Sequence, residues 1–324
     1  METSVAICER SRHRCEWMTV IVLLSALMTV SQPAPAQQVP DTGFAPPIGA
    51  PRYPAGHGPT VVIDAAHLNF HTADGGYSTF ARLLGRDGYR VKGNDKAFSA
   101  ESLEGTDILV IVNAMHPQSE LDWAPLPNHS AFTEPEIAAV EQWVRGGGAL
   151  LLIADHMPLA GHAAEMAEAF GVRFQNGFAL DSAMKGRITF RRDDESLPPN
   201  VISDGRHATE RVDSATSFTG QAFRIDPDVN AQAVLVVPEG HTLFLPSVAW
   251  EFSDSTPRVS AARLLQGAVL HHGQGRVAVF GEAAMFTAQL AGPQRVPVGM
   301  NDPQAPHNYR LVLNVLHWLS SGTP

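Results

Sequence analysis

Cysteine is almost missing from this chain of 324 residues, and the two present, Cys8 and Cys15, both lie near its start. Downstream of residue 15 there is no thiol, which excludes a disulfide framework and a cysteine nucleophile there. Charge is sparse as well: 17% of residues are Asp, Glu, Lys or Arg, and the formal net charge is −10. An acidic surface repels phosphate backbones, and no basic stripe with interleaved aromatics appears, so nucleic acid is excluded as the expected partner. Long apolar runs are absent too. The one near the start, Met18–Val30, is short for a membrane span. There is no G-x-S-x-G elbow, no phosphate-binding P-loop and no H-E-x-x-H helix, so no nucleotide cofactor is indicated. Gly146-Gly147-Gly148 precedes a strand and reads as a helix stop.

What is present begins with a presequence. Arg10, Arg12 and Arg14 precede the Met18–Val30 run, and Ala34-Pro35-Ala36 supplies a small-residue cleavage pattern. Residues 1–36 therefore read as a signal peptide of an exported, periplasmic or extracellular protein, with no membrane span left after cleavage; the competing reading is a retained anchor. Residues 37–58, rich in Pro, Gly and Gln, read as a flexible linker. Residues 59–322 read as a single α/β domain, with 175–260 as an insertion or sheet extension. An apolar fraction of 44% suits such a core.

Within that domain, four apolar strands each run into a polar cluster. Thr60–Ile63 leads to Asp64, His67, Asn69 and His71; Ile108–Val112 to Asn113 and His116; Ala149–Ile153 to Asp155 and His156, with His162 beyond; Arg276–Phe280 to Gly281 and Glu282. Helices between them are marked by Tyr77, Phe80, Leu83 and Leu84, and by the Thr133/Glu136 capping box followed by Ile137, Val140 and Val144. Strands alternating with helices predict a mostly parallel sheet covered on both faces. Ala233–Val237 and Thr242–Leu245 are expected to pair around Glu239-Gly240. A closing helix is expected to carry Leu311, Val315, Trp318 and Leu319.

Parallel strands share a carboxyl edge, where open α/β sheets bind their ligands. The expectation is a pocket in which Asp64, Asp155 and Glu282 manage protons and His67, His71, His156 and His162 hold a divalent metal, zinc or manganese. Asn69, Asn113 and His116 would then contact a small-molecule or carbohydrate ligand. Each has a plainer alternative: Asp64 and Asn69 as turn formers, Asp155 as a turn acid fixing His156, His116 turned away by Pro117, His162 at a helix start, Glu282 as a helix cap. Trp123 and Trp250 could stack on sugars or pack in the core. His271-His272 reads as a surface pair, and His207 has no periodic context.

Several segments together resemble the class I glutamine amidotransferase-like superfamily, in its non-glutaminase branches of the trehalose-utilisation-like and gliding-motility-associated type. They are Val62-Ile63-Asp64 with His67 and Asn69, Asp107–Ile111, Gly146–His156, Gly275–Glu282, and Asn308-Tyr309 with Asn314–Leu319. The resemblance covers about two thirds of the chain beyond the presequence. It implies a flavodoxin-like three-layer sandwich with an irregular insertion. It does not carry over glutaminase chemistry, because the family's elbow cysteine is missing and Asp155-His156 stands near its place. Two functional classes follow: a metal-assisted hydrolase of an envelope or carbohydrate-type substrate, or a non-catalytic module binding a ligand or protein through the same crevice.

Overall fold

The computed structural model describes residues 38–117 and 125–322. The expected signal peptide and Trp123 lie outside these residues. The fold is mixed α/β, built on a nine-stranded sheet. One half is parallel: β2 (Thr60–Asp64), β3 (Arg90–Asn94), β4 (Ile108–Val112), β5 (Ala149–Ile153) and β15 (Gly275–Phe280), in the order β3-β2-β4-β5-β15. The other half is antiparallel. There β14 (Leu265–His272) returns along β15 and pairs with β10 (Phe223–Ile225) and β11 (Ala231–Val236), and β10 pairs with β6 (Val172–Phe174).

The apolar strands of the parallel half are apolar without alternation because both faces are buried. Val61, Ile63, Val110, Leu151 and Phe280 enter one core, against Phe80 and Leu84 of α1 (Ser78–Arg86) and Leu311 and Val315 of α6 (Asn308–Leu319). Their neighbours Val62, Leu109, Ile111, Leu152 and Val279 enter the other. That second core is closed by Val140 and Val144 of α2 (Glu134–Arg145) and Met166 of α4 (Ala164–Glu168), which follows the short turn α3 (Leu159–His162). Among the described residues no helix is long and apolar enough to cross a membrane.

The 175–260 region does two things. It widens the main sheet through β10 and β11, and it builds a small sheet from β7 (Phe178–Leu180), β12 (Thr242–Phe244) and β13 (Arg258–Ser260). It also forms the ribbon β8 (Ile188–Arg191)–β9 (Ser214–Ser217), beside the single-turn helix α5 (Val201–Asp204). The expected hairpin between Ala233–Val237 and Thr242–Leu245 does not form. The first segment pairs with β14 and the second with β7 and β13. Glu239-Gly240 is a turn between two sheets, so local turn chemistry was a poor guide to pairing.

The described part of the expected 37–58 linker is laid against the domain. β1 (Gln38–Pro40) pairs with β16 (Ala288–Ala291), which pairs with β17 (Val296–Gly299). Phe44, Ile48 and Tyr53 pack on the core, and Arg52 N donates to the buried Asp87 carboxylate at 2.7 Å. Proline removes amide donors from such a segment, but its carbonyls remain available. Arg86 takes the carbonyl of Pro46 at 2.8 Å.

Candidate functional site

The carboxyl ends of β2, β4, β5 and β15 share one edge, and the structure divides the polar residues there into two networks. The first is closed. Asp64, at the end of β2 and fully buried, accepts from Ala66 N at 3.1 Å, Asn69 Nδ2 at 3.0 Å and His67 Nδ1 at 2.9 Å. His67 Nε2 meets Glu136 Oε1 of α2 at 2.9 Å, and the His67 ring packs against the stacked pair Phe98 and Phe132, each 4.7 Å away. Glu136 also accepts from the Phe98 and Thr133 amides, at 3.1 and 2.9 Å. Burial alone would lower the His67 pKa, but the hydrogen bonds and charges of Asp64 and Glu136 outweigh it and leave it raised. Both ring nitrogens donate to carboxylates, so neither has a lone pair for a metal. Asn69 is equally committed, to His67 N, Asp64 and the Val112 carbonyl.

The second network is open. Asn113, at the end of β4 with φ of 47°, is its hub. Its Oδ1 accepts from Asp155 N at 2.9 Å, and its Nδ2 donates to Asp155 Oδ2 at 2.8 Å and to His71 Nδ1 at 3.3 Å. Asparagine tolerates this left-handed backbone better than most residues. Asp155 Oδ1 accepts from Ala283 N, and Tyr77 OH donates to the Ala283 carbonyl at 2.8 Å. Glu282, buried beside them, accepts from Ala284 N and Met285 N at 3.0 and 2.8 Å, holding the turn after β15. Asp155 alone of these acids keeps partial contact with solvent.

Electrostatics follows from crowding. Desolvation pushes the Asp155 carboxyl up to about 7, against the pull of Asn113 and Ala283 N. Desolvation and then the Asp155 charge push Glu282 well above the carboxylate range. The Asp155 charge thus links the titration of one acid to that of the other. Burial lowers His71 to about 3 and His156 to about 4, so both are neutral imidazoles at neutral pH. His156 stands outside the Asn113 hub: its Nδ1 donates to the Met157 carbonyl at 2.7 Å, and its ring stacks on Phe178.

The contacts of His67 and those of His156 therefore share no residue. Together the structure brings His71, Asn113, Asp155 and Glu282, with His156 following Asp155 in the chain. Apart from these it places Asp64, His67 and Asn69. His116 and His162 form a third neighbourhood with His129, the His116 and His129 rings being 5.5 Å apart and His162 Nδ1 2.7 Å from the His129 carbonyl. Among the described residues no group of three His, Cys, Asp or Glu side chains stands close enough to hold a metal ion, so the expected donor set does not fit one.

Sequence reasoning missed Tyr77, Glu136 and His129 as members of these networks. Only Glu136 left a signal, as the acid of a capping box; its burial beside His67 is visible in the structure alone. A cavity of about 150 Å³ between α1 and residues 42–46 lies apart from all three and contains no acid or histidine.

No family model matches the chain, and no curated protein matches it. Solved structures do. The mmIFT52 N-terminal domain is 15% identical, covering 82% of this chain and 99% of that one, with a TM-score of 0.55. A cytoplasmic protein from Salmonella typhimurium is 13% identical over 81% of this chain and 99% of its own, with a TM-score of 0.47. A putative ThuA-like protein from Bacteroides uniformis is 13% identical over 86% and 96%, with a TM-score of 0.45. Structural neighbours thus include ThuA-like proteins at low identity. The likeness to the mmIFT52 domain, which spans nearly all of that chain, is one of fold alone.

Proposed function

We propose that this chain is an exported ligand-binding module of the glutamine amidotransferase-like, flavodoxin-type fold, whose site is the crevice floored by Asp155. The export reading rests on the presequence. The flavodoxin-type reading is supported by the parallel order β3-β2-β4-β5-β15, which reverses between β2 and β4, where doubly wound sheets open a crevice. One observation carries the site: Asn113 ties groups from three strand ends together while leaving Asp155 in partial contact with solvent. Exposed Phe70 lies edge-on to His71, and exposed Trp250 edge-on to His156, giving the polar floor an aromatic rim. Apolar walls with a few convergent polar groups are the usual make-up of small-molecule sites.

A thermal-shift screen of neutral small molecules tests this reading. Ligands should raise Tm in the wild type and not in Asp155→Asn; a hit that shifts both equally would place binding elsewhere.

A metal-independent acid–base hydrolase is the second reading, favoured by one observation: Asp155 and Glu282 follow the neighbouring strands β5 and β15, a crowding of acids that raises both and suits general acid–base work. It predicts turnover with a pH profile breaking near neutrality and abolished in Asp155→Asn. Binding without turnover decides for the module. A metal-assisted reaction is not supported, since His67 is committed on both nitrogens and no three-ligand set converges.

A further inference from the structure

Trp250 is 50% exposed although it sits on a packed aromatic cluster. Its indole meets His156 edge-on and Phe178 at a tilt, both with centroids 4.7 Å away. Phe178 is fully buried and lies flat on His156, at 4.6 Å and 13°. Phe252 packs on Phe178 and on Phe244, so the support beneath the indole is firm. The backbone at Trp250 has φ of 68°, a region that bulky side chains rarely adopt. Glycine or asparagine would sit there with less strain. A tryptophan held there, half in water, points to a use for its open face.

The polar groups beside it narrow the ligand. His156 Nδ1 is spent on the Met157 carbonyl, which leaves Nε2 as a lone pair able to accept a hydrogen bond. Asp155, the preceding residue, is partly exposed, and each of its oxygens accepts one bond, from Ala283 N and Asn113 Nδ2, which leaves acceptor capacity on both. No lysine or arginine is among the groups acting on Asp155, Glu282, His71 or His156, so an anion would meet acids with no countercharge. Two acceptors beside an exposed indole suit a ring with one apolar C–H face for the indole and hydroxyl donors on its edge.

We infer that Trp250 is the stacking platform of a pyranoside subsite, with His156 Nε2 and Asp155 accepting from sugar hydroxyls. The inference rests on the crevice-binding reading and names its ligand class.

Saturation-transfer NMR on the purified protein tests it, with methyl β-glucopyranoside, methyl β-galactopyranoside and methyl α-mannopyranoside as probes. Open-chain sorbitol, which carries hydroxyls but no flat C–H face, is the control. Transfer to ring C–H protons of at least one pyranoside, and none to sorbitol, is expected. Trp250→Leu should weaken that affinity by about tenfold or more and Trp250→Phe by much less, with circular dichroism unchanged in both. Should Trp250→Leu fail to fold, equal transfer to sorbitol and pyranosides would itself overturn the stacking claim. Affinity unaltered in Trp250→Leu but lost in Asp155→Asn would overturn the platform and leave the crevice standing. No pyranoside bound, alongside a non-sugar ligand dependent on Asp155, would overturn the sugar assignment alone. Loss of every Asp155-dependent ligand would overturn both.

Discussion

His67 and His156 both follow apolar strands in the same sheet, yet one is locked and the other is open. His67 has an acid on each nitrogen and two mutually stacked phenyl rings packed against it. His156 has one nitrogen committed and a half-exposed indole at its edge. The difference teaches that a dense His/Asp/Asn motif is poor evidence of a reactive site until its partners are known. A fully satisfied buried network specifies a conformation. An incompletely committed one can still receive a ligand.

The largest effect that sharpens this contrast is expected at Glu136. Glu136→Ala leaves His67 charged and half-paired in a buried site and should cost about 3 kcal/mol in urea unfolding. If the loss is under about 0.5 kcal/mol, as for an exposed pair, the locked description is wrong. Asn113→Ala, which cuts the hub of the open network, should cost less, about 1–3 kcal/mol, and should lower ligand affinity as well.

The pH dependence separates the two regions by window. Asp155 has a folded pKa raised to about 7 from an unfolded value of 3.8, so its contribution is complete below 3.8 and is lost as pH rises to about 7. His67 is also raised above its unfolded value of 6.5, so its contribution is complete below 6.5 and is lost as pH climbs through its folded value. In the Asp155 window the raised Glu282 adds to the loss while His71 and His156, lowered from 6.5, oppose it, so the effect is read as a difference. Asp155→Asn should gain stability relative to the wild type from pH 4 to 7 and keep the loss that His67 sets above pH 6.5. His67→Gln should instead remove the loss that begins above pH 6.5. Chemical denaturation across pH checks both, and a variant that alters the wrong window would break the assignment.

The smallest effect concerns metal. Zinc, manganese or EDTA should each move Tm by no more than about a degree; a stoichiometric metal content in purified protein would overturn the reading of the donor set.

Much of the parallel half was legible because strands buried on both faces are apolar without interruption, as Ile108–Val112 and Ala149–Ile153 are. The shared carboxyl edge followed from that. The division of the edge did not. Glu136 lies 69 residues from His67, and no local pattern says that this particular acid reaches it. The Ala233–Leu245 region misled because the strength of a turn says nothing about which strand each arm prefers. Residues 38–58 misled because composition reports missing side-chain periodicity, whereas β1 and the Arg86 contact hold that segment through its backbone.

Side-chain ¹⁵N NMR of the histidines at pH 6.5 tests the division most directly. The account predicts His67 protonated on both nitrogens, His156 neutral with its proton on Nδ1, and His71 neutral with its proton on Nε2. A neutral His67 beside a protonated His156 would contradict it.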